Sequence, residues 1–90
     1  MREPITHVAI RFRGVIYSLP APNRHHHVVR MIIDQTGVDS VDTHGEDQGF
    51  LDASGKYLRR EVALVSALVN NQIKNLDDIR GNELFSEDVW

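Results

Sequence analysis

Residues 20–36 read Pro-Ala-Pro-Asn-Arg-His-His-His-Val-Val-Arg-Met-Ile-Ile-Asp-Gln-Thr, and the fold prediction is built on this segment. A helix N-cap is predicted at Asn23, because an Asn side chain can accept from the unpaired N–H groups of a first helical turn. Apolar residues then recur at i, i+1, i+4 and i+5, which predicts one helix face docked on a sheet: Val28, Val29, Ile32 and Ile33. Gly37 is predicted to end the helix.

The N-terminus of this predicted helix carries Arg24, His25 and His26. Free N–H groups and the positive end of the helix dipole favour an anion at such a place. A ligand phosphate could be held there by backbone N–H groups, the Arg24 guanidinium and an imidazole. The alternative is a salt bridge from Arg24 to the acidic loop, at Glu46 or Asp47. The local chemistry leaves both interpretations open.

The segments before and after this helix predict two β-hairpins. Apolar and polar residues alternate over residues 6–13, which predicts a strand. Gly14 supplies a turn, and residues 15–19 are predicted to form the returning strand of the hairpin. Residues 49–58 contain the turn sequence Asp-Ala-Ser-Gly at positions 52–55 and predict the second hairpin. Residues 38–48 are polar and acidic and are predicted to form a loop.

A second helix is predicted over residues 60–70, with these side chains on its inner face: Leu64, Val65, Leu68 and Val69. Its N-cap position holds Arg59, which is a poor cap and opposes the helix dipole. Either this helix boundary is misplaced or Arg59 serves a ligand. The repeated hairpin–helix order predicts an α+β fold of two β-hairpin–helix units, with a small antiparallel sheet packed by two helices, in a single domain over residues 1–90.

The remaining residues bear on assembly. Residues 71–82 are predicted to form a loop with a partial turn. Residues 83–90 end on Trp90, whose exposure would be costly, so this tail is predicted to pack on its own domain or on a partner subunit. A chain of 90 residues buries only about 60% of its unfolded surface. We therefore expect a homo-oligomer, a dimer or larger.

Composition excludes several classes of protein. The 10 basic and 13 acidic residues give a net charge of −3, which argues against general nucleic-acid binding. The absence of Cys removes disulfides and Cys-ligated zinc. No apolar run approaches the ~20 residues of a membrane span, and the N-terminus lacks the apolar core of a signal peptide. We expect a cytoplasmic protein with no membrane partner and no cofactor.

A catalytic or metal role has little support in the sequence. Consecutive helical residues point about 100° apart, so the His triplet at 25–27 cannot converge on one ion. A metal-dependent phosphodiesterase would need His44, Glu46 and Asp47 of the acidic loop. No Ser lies in a Gly-x-Ser-x-Gly setting. We predict no catalytic residue, no metal ligand and no enzymatic activity.

Two further motifs admit a binding role and a structural one. Gln48 and Phe50, separated by a Gly, could hold a base through edge hydrogen bonds and stacking. Phe50 as an ordinary core residue is the alternative. Arg59 and Arg60 could contact a phosphate or could form a solvated helix start.

Several motifs, in order along the chain, resemble a pattern found in small phage-encoded proteins. They are Arg-His at 24–25, Gln-Gly-Phe-Leu at 48–51, Gly-Lys-Tyr-Leu-Arg-Arg-Glu at 55–61 with Ala63, and Leu-Phe-Ser-Glu-Asp-Val-Trp at 84–90. The chain departs from that pattern at Arg59, where Asp or Asn is usual, and at Val62, where an acid is usual. It is also similar to phage Thoeris anti-defence proteins, which sequester cyclic ADP-ribose signals as oligomers.

This resemblance implies a phage anti-defence accessory protein in the host cytoplasm that sequesters a phosphate-bearing nucleotide signal, of the cyclic ADP-ribose or cyclic nucleotide type, without catalysis. By position it implies Arg24, His25, Gln48, Phe50 and Arg60 as ligand-binding residues, and the local chemistry adds His26 and Arg59. The alternative function is a protein–protein inhibitor of a host defence enzyme that acts through the acidic loop, residues 39–47.

Overall fold

The structure is a computed structural model that describes residues 3–42, 47–79 and 81–90. Within these ranges, four strands form one antiparallel sheet: β1 (Ile5–Phe12), β2 (Val15–Pro20), β3 (Gln48–Asp52) and β4 (Tyr57–Arg59), in the order β2-β1-β3-β4. Helix α1 (His25–Thr36) follows the first hairpin, and α2 (Arg60–Val69) follows the second. The predicted α+β fold of two β-hairpin–helix units is confirmed.

The core lies between the two helices and one face of the sheet. The strand register aligns Val8 of β1 with Phe50 of β3, and Phe50 with Leu58 of β4, so these side chains share that face. Val28 and Ile32 of α1 are fully buried against it. Residues of α1 are spaced to bring one branched apolar side chain to the sheet per turn. The predicted inner face is confirmed at Val28 and Ile32, whereas Val29 and Ile33 are only half-buried.

The ends of α1 differ in how well they were predicted. The N-cap prediction at Asn23 is wrong, because the Asn23 amide donates to the Pro20 carbonyl (2.7 Å) and Arg24 takes the N-cap position. The backbone N–H of Arg24 donates to Nδ1 of His27 (2.8 Å). At the other end, Gly37 has φ of 75° and its N–H donates to the Ile33 carbonyl, as a left-handed C-terminal Gly does.

The inner face of α2 differs from the prediction. Small side chains dominate its buried positions, which are Ala63, Leu64, Ser66 and Ala67. Three of the four residues predicted to point inward are exposed: Val65 (44%), Leu68 (45%) and Val69 (58%). The sheet and the C-terminal tail contribute bulky side chains to the same core, so α2 packs against them mainly through small residues, with Leu64 as the one large buried side chain of this helix.

Helix α2 begins where the sequence predicted. Arg59 is its N-cap, so a misplaced boundary does not explain the poor cap. The Arg59 side chain is exposed, and its Nε lies 3.6 Å from Oε2 of Glu61. An exposed pair of this kind contributes little stability.

Asp52 organises the β3–β4 turn. Its Oδ1 accepts from the Ser54 hydroxyl (2.6 Å), the Ser54 N–H (2.9 Å) and the Lys56 N–H (3.0 Å). Burial by itself raises the pKa of this carboxyl, but these hydrogen bonds and the Lys56 charge outweigh it, so the pKa lies below its usual value. The turn predicted at residues 52–55 is thus held by its own first residue.

The C-terminal tail packs on its own domain, which is one of the two arrangements predicted for it. Leu84 is fully buried, and its N–H donates to the Arg60 carbonyl (3.1 Å). The Trp90 indole N–H donates to the Asn23 carbonyl (2.7 Å), and its ring meets Phe50 edge-on at 6.3 Å. A short 3-10 helix, Ser86–Asp88, lies between these anchors. No helix in the described ranges has the length and apolar character needed to cross a membrane.

Candidate functional site

A shallow, open cleft of about 400 Å³ lies where the N-termini of α1 and α2 meet the C-terminal tail. We call it the cationic cleft, and its lining residues are Arg24, His25, His26, Arg60, Phe85, Ser86 and Glu87. Its volume falls in the range of about 300–1,000 Å³ that is common for small-molecule sites. Three segments that are distant in sequence therefore build one surface.

Two consecutive residues of β3 bring the helix starts together. The side chain of Gln48 accepts from Nη2 of Arg60 at the start of α2 (2.7 Å). The carbonyl of Gly49 is 2.8 Å from Nε2 of His25 at the start of α1, so this nitrogen carries the proton and donates. Strand β3 therefore contacts the first residue of both helices.

His25 is a largely buried imidazole at the base of the cleft. Its ring packs edge-on against Phe50, with ring centroids 5.1 Å apart. The pKa of His25 lies below its usual value, mainly because burial disfavours the charged ring. The Arg60 charge lowers this pKa further. The hydrogen bond to Gly49 and the Glu87 charge raise it, but they do not outweigh the effect of burial. At neutral pH His25 is therefore an uncharged donor to Gly49 that positions the first turn of α1.

Both arginines of the cationic cleft carry a buried nitrogen that lacks a partner. Nη1 of Arg24 and Nε of Arg60 are inaccessible to solvent and make no hydrogen bond within the described residues. The Arg60 guanidinium also lies over the Phe85 ring, 4.9 Å from its centroid. Leaving a buried donor unpaired costs about 1–3 kcal/mol, and more for a charged group. Two guanidinium groups with incompletely satisfied nitrogens therefore line one cleft, which favours an anionic ligand.

The helix ends themselves reinforce this electrostatic character. Arg24 and Arg59, the N-cap residues of α1 and α2, make no side-chain capping bond in the described part of the chain. A cation at this position opposes the helix dipole and leaves first-turn N–H groups without the usual side-chain acceptor. The first turn of α1 holds no acidic residue, so this helix start favours an anion from outside the chain, whereas the first turn of α2 already contains Glu61.

The alternative of a salt bridge from Arg24 to the acidic loop finds no support in the described residues. Asp47 pairs instead with Arg11, with Nε and Nη2 each 3.1 Å from Oδ1. His44 and Glu46 lie outside the described residues. The acidic loop, residues 39–47, which is the proposed contact with a host enzyme, is therefore described only in part. Among the residues that are described, no group of three or more His, Asp or Glu side chains could hold a metal ion.

Four of the predicted ligand-binding residues line the cationic cleft: Arg24, His25, His26 and Arg60. Gln48 is not among the lining residues, but its side chain accepts a hydrogen bond from Arg60. Phe50 is fully buried, so the predicted stacking of a base on its ring is wrong for this structure and the core alternative holds. Arg59 does not line the cleft.

Sequence reasoning missed three residues of the site: Phe85, Ser86 and Glu87. They belong to the closing Ser-Glu-Asp motif that carried the resemblance to phage proteins. The motif was the available signal, but its place beside the two helix starts depends on how the tail folds back. Phe85 is only half-buried and offers the cleft an aromatic surface.

The fold and the site together define a small α+β protein in which two helix N-termini and the C-terminal tail border an open cationic cleft. The sequence model of the family described as phage T4 y16D protein matches residues 4–90. The chain belongs to this family, and the prediction of a small phage protein is confirmed. No curated protein and no solved structure matches the chain.

Proposed function

We propose that the cationic cleft binds the phosphate of a small nucleotide-type ligand and that the protein sequesters this ligand without converting it. The observation that carries the proposal is the convergence on one cleft of Arg24 and Arg60, neither of which is ion-paired within the described residues and each of which has a buried nitrogen without a hydrogen-bond partner. These two arginines lie at two different helix starts. Phosphate oxygens are strong acceptors for guanidinium N–H groups, and the helix dipoles add to the stabilisation of the anion.

Each cleft residue has a distinct role in this proposal. Arg24 and Arg60 hold the phosphate, and the exposed imidazole of His26 lies at the rim, where it can add a hydrogen bond. His25 donates to Gly49 and so positions the α1 start, because its neutral ring has no second N–H for a phosphate.

The nucleotide character of the ligand is supported by an aromatic surface and by the resemblance to anti-defence proteins. Phe85 lines the cleft beside the Arg60 guanidinium and can stack on a base. Membership of a phage protein family is consistent with a role against a host nucleotide signal. Sequestration of a cyclic ADP-ribose or cyclic nucleotide signal, by an oligomer in the host cytoplasm, follows from the resemblance.

The test replaces the two N-cap arginines in parallel. Ser is a much better N-cap than Arg, so Arg24→Ser and Arg59→Ser should each stabilise the fold by about 1 kcal/mol, which raises Tm by about 4–8 °C in a domain of this size. Binding separates the two variants. Arg24→Ser should lose ligand affinity because it removes a phosphate donor, whereas Arg59→Ser should retain it because Arg59 does not line the cleft.

The measurement is a thermal-shift and calorimetry screen of the wild type and both variants against linear and cyclic nucleotides. After incubation, mass spectrometry shows whether the recovered ligand is intact. At a hundredfold excess over Kd a ligand stabilises the native state by about 2.7 kcal/mol. Intact ligand and a loss of binding confined to Arg24→Ser would support the proposal. Consumed ligand would contradict sequestration, and equal binding by the two variants would contradict the site.

A further inference from the structure

Glu87 places a carboxylate in the wall of a cleft that is otherwise cationic. Its two neighbours are buried, with Ser86 and Asp88 exposed by only 4% and 6%, whereas Glu87 itself is exposed. Oδ2 of Asp88 accepts from the Phe85 N–H (2.9 Å), and Trp90 anchors the end of the tail. The tail therefore holds the Glu87 backbone in a defined position while its side chain remains available.

The Glu87 carboxylate acts electrostatically on the same cleft. Its charge raises the pKa of His25, in opposition to burial and to the charge of Arg60. No ion pair joins Glu87 to Arg24 or Arg60 within the ranges that the structure describes. The cleft thus holds two guanidinium groups and one carboxylate that forms no ion pair with them within the described residues.

This mixture of charges restricts the ligand. A carboxylate only accepts hydrogen bonds, and it repels a phosphate. A ligand made of phosphate alone meets attraction from the arginines and repulsion from Glu87. A ligand that carries a hydroxyl or amino group near its phosphate gains a charge-assisted hydrogen bond instead.

We propose that Glu87 is the specificity-determining residue of the cationic cleft, accepting a hydrogen bond from a hydroxyl or amino group of a ligand whose phosphate is held by Arg24 and Arg60. This inference rests on the proposed function and narrows it to phosphate esters that carry a hydrogen-bond donor. Inorganic phosphate, and esters without such a donor, are discriminated against.

The test compares matched probes by calorimetry. The probes are adenosine 5′-monophosphate, its 2′,3′-dideoxy analogue, purine riboside 5′-monophosphate, which lacks the amino group, and inorganic phosphate. The proteins are the wild type, Glu87→Ala and the control Glu83→Ala, which removes the same charge from a tail residue that does not line the cleft. A hydrogen bond to a charged group corresponds to about tenfold or more in Kd.

We expect the wild type and Glu83→Ala to bind adenosine 5′-monophosphate about tenfold more tightly than at least one of the two analogues. Glu87→Ala should lose this preference and should bind inorganic phosphate several-fold more tightly, because the repulsion is gone. NMR titration of the His25 ring gives an independent readout. Its pKa should fall further in Glu87→Ala and stay unchanged in Glu83→Ala.

The outcomes separate this inference from the proposed function. Phosphate binding that depends on Arg24, with the same order of probes in the wild type and Glu87→Ala, would overturn the role of Glu87 and leave the anion site standing. An unchanged His25 titration in Glu87→Ala would show that the carboxylate does not act on the cleft and would overturn it as well. If none of the probes binds, inorganic phosphate included, both proposals fail.

Discussion

The two β-hairpin–helix units follow the same chain order but bury their helices differently. In the first unit, α1 reaches the core with the branched side chains of Val28 and Ile32. In the second, α2 reaches it mainly with small side chains such as Ala63 and Ala67, and leaves Leu68 45% exposed. One unit thus obeys a simple hydrophobic periodicity and the other does not.

The difference arises because α2 is apolar around much of its circumference. Its sequence, Arg-Glu-Val-Ala-Leu-Val-Ser-Ala-Leu-Val, contains eight residues between Val62 and Val69 of which only Ser66 is polar. Such a helix has more than one apolar face, and periodicity cannot choose between them. Packing against Phe50, Leu58 and Leu84 determines which face of α2 is buried, because a close-packed core accommodates only the face whose side chains have a suitable volume.

Matched truncations in the two helices give the largest expected contrast. Ile32→Ala should destabilise the protein by about 2–5 kcal/mol because it opens a cavity in the core. Leu68→Ala should cost less than about 1 kcal/mol because nearly half of that side chain is already in water. Urea unfolding of both variants measures the free energies. Similar losses would mean that α2 packs through the Leu68 face, either in the monomer or against a second subunit.

Two Gly→Ala substitutions in the second unit give an intermediate effect. A Cβ at Gly49 would collide with the Leu58 carbonyl oxygen and lie 3.0 Å from the Tyr57 ring, so Gly49→Ala should cost at least about 1–3 kcal/mol. Gly55 has φ of +85° and open space around it, so Gly55→Ala should cost about 1–2 kcal/mol of backbone strain.

The two glycine variants also differ in their effect on the site. Since the Gly49 carbonyl holds His25, Gly49→Ala should weaken ligand binding beyond its effect on stability, whereas Gly55→Ala should not. Binding measured well below each Tm checks this. Undiminished affinity in Gly49→Ala would show that the contact between the two units does not shape the cleft.

The smallest effect concerns the pH dependence of that same contact. The folded state lowers the pKa of His25 below 6.5, so the unfolded chain binds the proton more readily. The contribution of His25 to the free energy of unfolding is present in full above about pH 6.5. This contribution is lost as the pH falls through the lower pKa that His25 has in the folded state. Asp52 acts in a more acidic window, because its pKa lies below 3.8 in the folded state.

His25→Gln should therefore flatten the dependence of the free energy of unfolding on pH between about 7.5 and 5, relative to the wild type. The Gln amide can still donate to Gly49. His26→Gln, the same substitution in the exposed neighbour, serves as the matched control. Urea unfolding across this pH range measures all three proteins, and a parallel profile for His25→Gln would show that the ring is not held in a desolvated position.

The candidate site was predictable to the extent that it depends on local chemistry. Arg24, His25 and His26 precede an obvious apolar helix, so a cationic helix start could be inferred without a structure. The convergence of Arg60 with them could not, because it depends on Gln48 and Gly49 lying between the two helix starts. The contribution of Phe85 and Glu87 required the tail to fold back across both helices.

By itself, the sequence determined the local elements: alternation defined the strands, the Val–Ile stripe defined α1, and Gly37 and Asp52 defined a helix end and a turn through their own hydrogen bonds. Tertiary structure decided which face of α2 is buried and that Phe50 belongs to the core rather than to a ligand. It also brought two arginines and one glutamate into a single cleft. The physical reason is that propensity and hydrogen bonding act over a few residues, whereas packing volume and charge convergence depend on segments far apart in the chain.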